Sequence, residues 1–235
     1  PAQARRVVLL NQADDPERLR LAEEMACPLL EGFQAVLVAS LGSSPAVVHA
    51  VHEKTGGIIL AAGGSSRLGR PKQLVEWHGV PLVRHIAGRA LAAGLSPVLV
   101  VTGSKANQVR AATQGLPVSF VHNPAWESGQ ASSIQAGVRA LPAESGAAVF
   151  LLADQPQVPS GLISALTRTH AGSLSALVAP RVHGQRANPV LFDATVFPEL
   201  FLLHGDTGGR SLFADPQRFP VRWVDWDDPD LLLDV

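Results

Sequence analysis

The sequence predicts an α/β domain built on a mostly parallel sheet, and three observations carry that prediction. Short apolar runs suited to strands alternate with longer helical stretches. One run, Ile58-Ile59-Leu60, has the unbroken apolarity of a strand buried on both faces, and it passes straight into a glycine-rich loop. A second apolar run, at 148–152, ends in Ala153-Asp154-Gln155-Pro156, which puts a carboxylate at the carboxyl edge where open α/β sheets bind ligands.

Taken in order, residues 7–10 read as a strand, followed by a helix at 15–30 that Asp14 or Asp15 caps. A strand at 35–39 and a helix at 45–52 come next, the latter opening on Pro45. The strand at 57–61 leads through the glycine loop to a helix at 81–93, then to strands at 97–101 and 118–121. A helix at 131–141 carries Ser132 with Gln135 three residues on, the spacing of a capping box. The strand at 148–152 precedes a helix at 161–170, introduced by Ser160. Apolar runs near 176–178, 189–192 and 221–224 complete or edge the sheet, and the chain contains no internal repeat or low-complexity segment.

The chain has 235 residues, 46% hydrophobic and 17% charged, with a net charge of -1, enough apolar material for a sizeable core and an appendage. Near-neutrality argues against a nucleic acid polymer as partner, which requires a broad basic face. Cys27 is the only cysteine, so no intrachain disulfide forms and a reducing cytoplasm is the expected location. No apolar run approaches the roughly 18 residues of a membrane span. The chain starts at Pro1 rather than Met and is expected to be cut from a longer one. The oligomeric state stays open.

The segment 57–74 reads Gly-Ile-Ile-Leu-Ala-Ala-Gly-Gly-Ser-Ser-Arg-Leu-Gly-Arg-Pro-Lys-Gln-Leu. Gly63, Gly64 and Gly69 let the backbone curl so that successive N–H groups aim at one point, an anion nest. Arg67, Arg70 and Lys72 add full charges in the same loop, each charge-assisted phosphate contact supplying about 1.5–3 kcal/mol. The glycine spacing fits neither a P-loop nor a Rossmann dinucleotide fingerprint. The alternative is a basic surface loop, but an ordinary turn needs only one or two glycines and no cations, so the loop reads as a nucleoside triphosphate site.

Leu60-Ala61-Ala62-Gly63-x-Ser65-x-Arg67-Leu68-Gly69 with Pro71-Lys72 resembles the signature of the nucleotidyltransferases that build sugar nucleotides and cofactor dinucleotides. Within them the chain is most similar to the molybdenum cofactor cytidylyltransferase branch of the MobA-like family. Leu68 stands where Met is usual, a volume-conserving change. The resemblance implies a Rossmann-like, mostly parallel sheet of the nucleotide-diphospho-sugar transferase type in three α/β/α layers. It also implies that Arg67 and Lys72 grip the triphosphate while Leu60, Ala61, Ala62, Gly63, Gly64 and Ser65 line it.

Residues 1–54 precede this unit as a β-α-β appendage, leaving 55–235 as the nucleotidyltransferase domain. Asn11-Gln12-Ala13-Asp14 resembles the C-terminal end of a selenium-dependent hydroxylase accessory protein family. No P-loop accompanies it, so Asn11 and Asp14 are read as structural.

Triphosphate chemistry calls for a divalent cation, Mg²⁺ being the expected cofactor. On pattern alone Asp154 is equally a metal ligand and a turn residue ahead of Pro156; the resemblance makes it a ligand. In Val224-Asp225-Trp226-Asp227-Asp228-Pro229, strand alternation puts Asp225 and Asp227 on one face, where two carboxylates repel unless a cation joins them. Asp228 before Pro229 reads as a helix cap. Similarity to the family's closing acidic motif carries over to Asp225 and Asp227 only, and which of them meets the metal stays open.

Asn123-Pro124-x-Trp126-x-x-Gly129-x-x-Ser132-Ser133 lies between a strand and a helix N-terminus, a place expected to offer free N–H donors. The resemblance puts Gly129 and Ser133 at the base and ribose; capping by the serines fits the same pattern. Downstream, the stretches at 183–192 and 205–210 resemble acceptor-side segments. There Asn188 is expected to bind the acceptor, Arg186 and Arg210 its phosphate, and Asp206 to order the loop or bind pterin.

The function implied is Mg²⁺-dependent transfer of a cytidylyl group from CTP to the terminal phosphate of molybdopterin or molybdenum cofactor, with release of pyrophosphate. The alternatives are guanylyl or other nucleotidyl transfer from GTP or a relative to a related phosphate, and a non-catalytic molybdenum cofactor carrier. An apo molybdenum hydroxylase is a further candidate partner.

Overall fold

The computed structural model describes residues 7–42, 45–64 and 71–233. Arg67, Ser65, Gly69 and Arg70 of the expected phosphate loop therefore lie outside the described residues.

The N-terminal piece comprises β1 (Val7–Leu10), α1 (Pro16–Leu29), β2 (Ala35–Ser40) and β3 (Val47–Glu53). β1 pairs parallel with β2, and β3 pairs antiparallel on its other side with a bulge at Val38/Ala39. The expected helix at 45–52 is thus a strand. Val47, Val48 and Val51 are stiff, β-branched side chains that fit a pleated surface better than a helix, and pairing with β2 outweighs the helix-start signal of Pro45. Asp15 caps α1, its Oδ1 accepting from the Glu17 and Arg18 N–H groups. Asn11 has a structural role, as its Oδ1 accepts from the Leu41 N–H at the end of β2. Ala13, Val38 and Ala50 pack with Ala171 of the larger unit in a small core of their own.

The larger unit starts with β4 (Thr55–Ala61) and a hairpin, β5 (Glu76–Trp77) and β6 (Val80–Pro81), leading into α2 (Leu82–Ala92). Next are β7 (Val98–Thr102), α3 (Ala106–Ala112), β8 (Ser119–His122), α4 (Gln130–Arg139), β9 (Ala147–Leu152) and α5 (Ser160–Ser173). β10 (Leu177–Val182), β11 (Gln185–Arg186), β12 (Val190–Asp193), α6 (Phe197–Leu200) and β13 (Val221–Asp225) complete it. The sheet runs β11-β10-β12-β9-β4-β7-β8, with β13 added parallel to β10. β9, β4, β7 and β8 are mutually parallel, whereas β12 is antiparallel to both its neighbours.

Alternation along the central strands makes two cores. Ile59, Val100 and Leu151 point to one face and pack under α2 and α5 through Ile86, Ile163 and Leu166. Ile58, Val101 and Phe150 point to the other face, under Ile134 and Val138 of α4 and Leu200 of α6. The result is the three-layer α/β/α arrangement expected. It brings the ends of β4, β7, β8 and β9 to one carboxyl edge.

Buried polar groups tie the layers together. His170 of α5 and Asp193 of β12 are hydrogen bonded, Nε2 to Oδ2, at 2.8 Å. Burial alone would raise the Asp193 pKa, but the hydrogen bonds from His170 and from Thr195 outweigh it and the carboxyl stays below its ordinary range.

Candidate active site

At the end of β4 the chain turns through Ala62, Gly63 and Gly64. Two other segments close on this turn. Gly103, after β7, sits where an added Cβ would lie 2.4 Å from the Ala62 oxygen and 2.7 Å from the Trp126 ring; Gly64 is similarly close to that indole. Any side chain at Gly103 would push the loop and Trp126 apart. From below, Gln73, only 4% exposed, sends its Nε2 to the carbonyl oxygens of Ala61 (3.3 Å) and Gly63 (3.0 Å).

Lys72 and Asp154 face each other across the mouth of this turn, Nζ to Oδ2 3.8 Å, each side chain 34% exposed. They line a recess of about 390 Å³ together with Leu60, Ala61, Ala62, Gly63 and Gly64. Its far wall holds Trp126, Gly129, Gln130, Ser133 and Asp206. Ser133 is buried and its hydroxyl accepts from Asn123 Nδ2 at 3.0 Å; the same amide group reaches Ser132 Oγ at 2.8 Å.

The N-terminus of α4 differs from expectation. Its first N–H groups are occupied: Gln130 N donates to Asp206 Oδ1 at 3.1 Å and Ala131 N to the Gly205 oxygen at 2.9 Å. Gly129, with φ +109, lies so close to Gly205 that a Cβ there would meet its backbone at 2.3 Å. The capping box is absent as well. The Ser132 hydroxyl donates to the carbonyl oxygens of Ala125 and Gly129, and the Gln135 side chain reaches the carbonyls of Phe201 and Leu203. The cap comes instead from a carboxylate 76 residues away, which orders the 205–210 loop against the helix.

A second recess, of about 220 Å³, adjoins the first and shares Leu60, Gln130, Leu152 and Asp206 with it. Asn188, Arg186 and Arg210 line it over an apolar floor of Ile134, Phe150 and Phe192. Burial, and then the charge of Arg210, lowers the Arg186 pKa, so two guanidinium groups stand within each other's field. Arg186 lies over the Phe213 ring, its Cζ 4.7 Å from the centroid. Paired cations in a partly apolar recess suit a bound anion.

The closing acids stand elsewhere. Asp225, the last residue of β13, forms a two-pronged ion pair with Arg181, Nε–Oδ1 2.8 Å and Nη2–Oδ2 3.1 Å. The hydrogen bond from Arg181 holds its pKa below the usual carboxylate range. β13 ends at Asp225, so Asp227 lies past the strand and the expected alternation does not reach it. Neither acid lines the two recesses. Asp228 caps the short C-terminal turn, accepting from the Asp230 N–H, as its place before Pro229 indicated. Among the described residues no group of three acidic, histidine or cysteine side chains is disposed to hold a metal alone.

Residues 57–221 match the family model of the MobA-like NTP transferase domain. The chain belongs to this family. It is a MobA-like nucleotidyltransferase, and the match begins in β4 and leaves β1 to β3 outside it. "Nicotine blue oxidoreductase" of Paenarthrobacter nicotinovorans is 33% identical over 187 residues, 76% of this chain and 90% of that protein. "Molybdenum cofactor guanylyltransferase" of Serratia proteamaculans is 32% identical over 144 residues, 60% of this chain and 68% of that protein. The crystal structure of Rv0371c from Mycobacterium tuberculosis H37Rv superposes with a TM-score of 0.69 at 31% identity, covering 77% of this chain and 92% of that one. A manganese complex of Rv0371c superposes with a TM-score of 0.62 at 28% identity, covering 74% and 89%. No helix among the described residues is long and apolar enough to cross a membrane.

Gln73 and Gln130 are site residues that sequence reasoning missed, and for Asp206, which it named, the hydrogen bond to α4 was not foreseen. Gln73 carries a weak signal, a polar residue beside Lys72; the other two depend on contacts between distant segments.

Proposed function

We propose that this MobA-like nucleotidyltransferase moves a cytidylyl group from CTP to the terminal phosphate of the molybdenum-bearing pterin cofactor, releasing pyrophosphate. The observation that carries this reading is the pair of adjoining recesses with a common wall: one holds the glycine turn, Lys72 and Asp154, the other Arg186, Arg210 and Asn188. A donor triphosphate in the first and an acceptor phosphate in the second would meet at Leu60, Leu152 and Asp206. We also propose that 55–235 is the catalytic unit and 1–54 an appendage.

In this reading the glycine turn and Lys72 hold the triphosphate, with Arg67 contributing by its place in the signature. Ala61, Ala62 and Ser133 line the nucleotide, Ser133 held by Asn123. Arg186 and Arg210 hold the acceptor phosphate and, by withdrawing it from water, align an oxygen that is already anionic at neutral pH. No general base is required, so positioning and electrostatics supply the catalysis.

Asp154 fits a divalent cation: a hard carboxylate, a third exposed, beside the phosphate turn. Mg²⁺ needs only one or two carboxylates, because phosphates and waters fill its other positions. When bound it would offset the charge building on departing pyrophosphate. Asp225 and Asp227 enter the proposal as further ligands on the condition that Asp225 leaves Arg181.

The guanylyltransferase among the relatives makes GTP the donor to exclude. Parallel incubations of the protein with acceptor and either CTP or GTP, read as pyrophosphate released, test the reading. Release with CTP alone supports it; release with GTP alone transfers the assignment to guanylyl transfer; tight pterin binding with no release from either moves it to a carrier.

A further inference from the structure

We infer that Gln73 is a positioning residue that sets the phosphate-holding face of the glycine turn, an inference that rests on the nucleotide reading of the first recess. The side chain is buried and its single amide nitrogen spans the turn, donating to the carbonyls of Ala61 and Gly63 but passing over that of Ala62. In a trans peptide the C=O of one residue and the N–H of the next point in opposite directions. Fixing the Ala61 and Gly63 oxygens on Gln73 therefore turns the N–H groups of Ala62 and Gly64 away from it as a pair. Both residues line the recess.

The tether has a second effect. Gln73 belongs to the short 3-10 turn Lys72–Leu74, so the backbone that carries Lys72 is bound directly to the end of β4. Lys72 and the two N–H groups are then held as one anion-binding unit. Asp154 is 3.8 Å from the lysine and would otherwise draw its flexible stem off the phosphate. Without the amide donors, the carbonyls of Ala61 and Gly63 can rotate toward the recess, where they would repel a triphosphate.

Gln73→Met keeps the volume and removes both donors. CTP·Mg²⁺ and inorganic tripolyphosphate are titrated calorimetrically into wild type and variant, and KM is measured for donor and acceptor. The expected result is an approximately tenfold weaker Kd for both phosphate ligands and a matching rise in donor KM, with acceptor KM unchanged. A merely structural role would lower the active fraction and leave both KM values alone. Gln73→Glu gives a check that does not depend on the Met variant folding: protonation restores one donor, so its donor KM should approach the wild-type value as pH falls. Unchanged affinity in Gln73→Met, or a pH-independent donor KM in Gln73→Glu, overturns the inference. Wild type that binds neither CTP nor GTP overturns the nucleotide reading itself.

Discussion

Substituting Gly129 by alanine would place a methyl carbon 2.3 Å from the carbonyl carbon of Gly205 and 2.5 Å from its oxygen. Neither atom can rotate away, since both are backbone, so the 205–206 segment must retreat from α4. The φ of +109 costs a non-glycine residue about 1–3 kcal/mol. Retreat also breaks the bonds from Ala131 N to Gly205 and from Gln130 N to Asp206, each about 0.5–1.5 kcal/mol. The sum is roughly 2–6 kcal/mol, a fall in Tm on the order of 10 °C for a domain of this size. Two controls isolate the cause. Asp206→Ala removes the remote cap alone and should cost about 1 kcal/mol. Gly88→Ala, in α2 with nothing within 4 Å of the new methyl, should be neutral or stabilising by up to about 1 kcal/mol. Urea unfolding of the three variants, followed by circular dichroism, gives the comparison. A Gly129→Ala midpoint within error of wild type would refute the close approach of these two loops.

Other consequences are testable with the same protein. Lys72→Ala and Asp154→Ala should each lower kcat/KM by about 10²–10³ while leaving the fold intact; near wild-type turnover in either removes it from the site. Arg186→Ala should raise acceptor KM by about tenfold or more with donor KM constant, and the reverse split would exchange the two recesses. Burial lowers the His52 pKa below its ordinary 6.5, and burial followed by the Arg89 charge does the same at His85. The unfolded chain therefore takes up these protons first, so stability is full above pH 6.5 and falls as pH drops below it. Urea midpoints at pH 7.5 and 5.5 should show the loss, smaller in His52→Leu; equal slopes in variant and wild type would contradict the assignment to His52.

The central fold was readable because its signals are local. β4, β7 and β9 centre on short apolar runs, and their length and β-branched content suit strands buried on both faces. The region of β3 misled because Pro45 imitates a helix start, while the pairing that decides its state comes from β2. α3 escaped notice since it is short and its N-cap, Lys105, offers no side-chain hydrogen bond. At the site, the glycine turn, Lys72 and Asp154 were visible because motif and strand end are adjacent in sequence. Asp206 was expected to order a loop or bind the acceptor, but its hydrogen bond to α4 spans 76 residues and no spacing rule anticipates it. The same gap hid the occupation of the α4 N–H groups, which the sequence suggested were free. The ion pair of Asp225 was hidden for want of a visible partner: Arg181 lies 44 residues earlier, and only the parallel pairing of β10 with β13 sets the two side by side.

The most direct test of the account is the mass of the pterin after incubation of the purified protein with molybdenum cofactor, CTP and Mg²⁺. The expected result is a gain of one cytidylyl group with one pyrophosphate released per product, formed about 10²–10³-fold more slowly by the Lys72→Ala protein. A pterin of unchanged mass, under conditions where CTP is shown to bind, would contradict it.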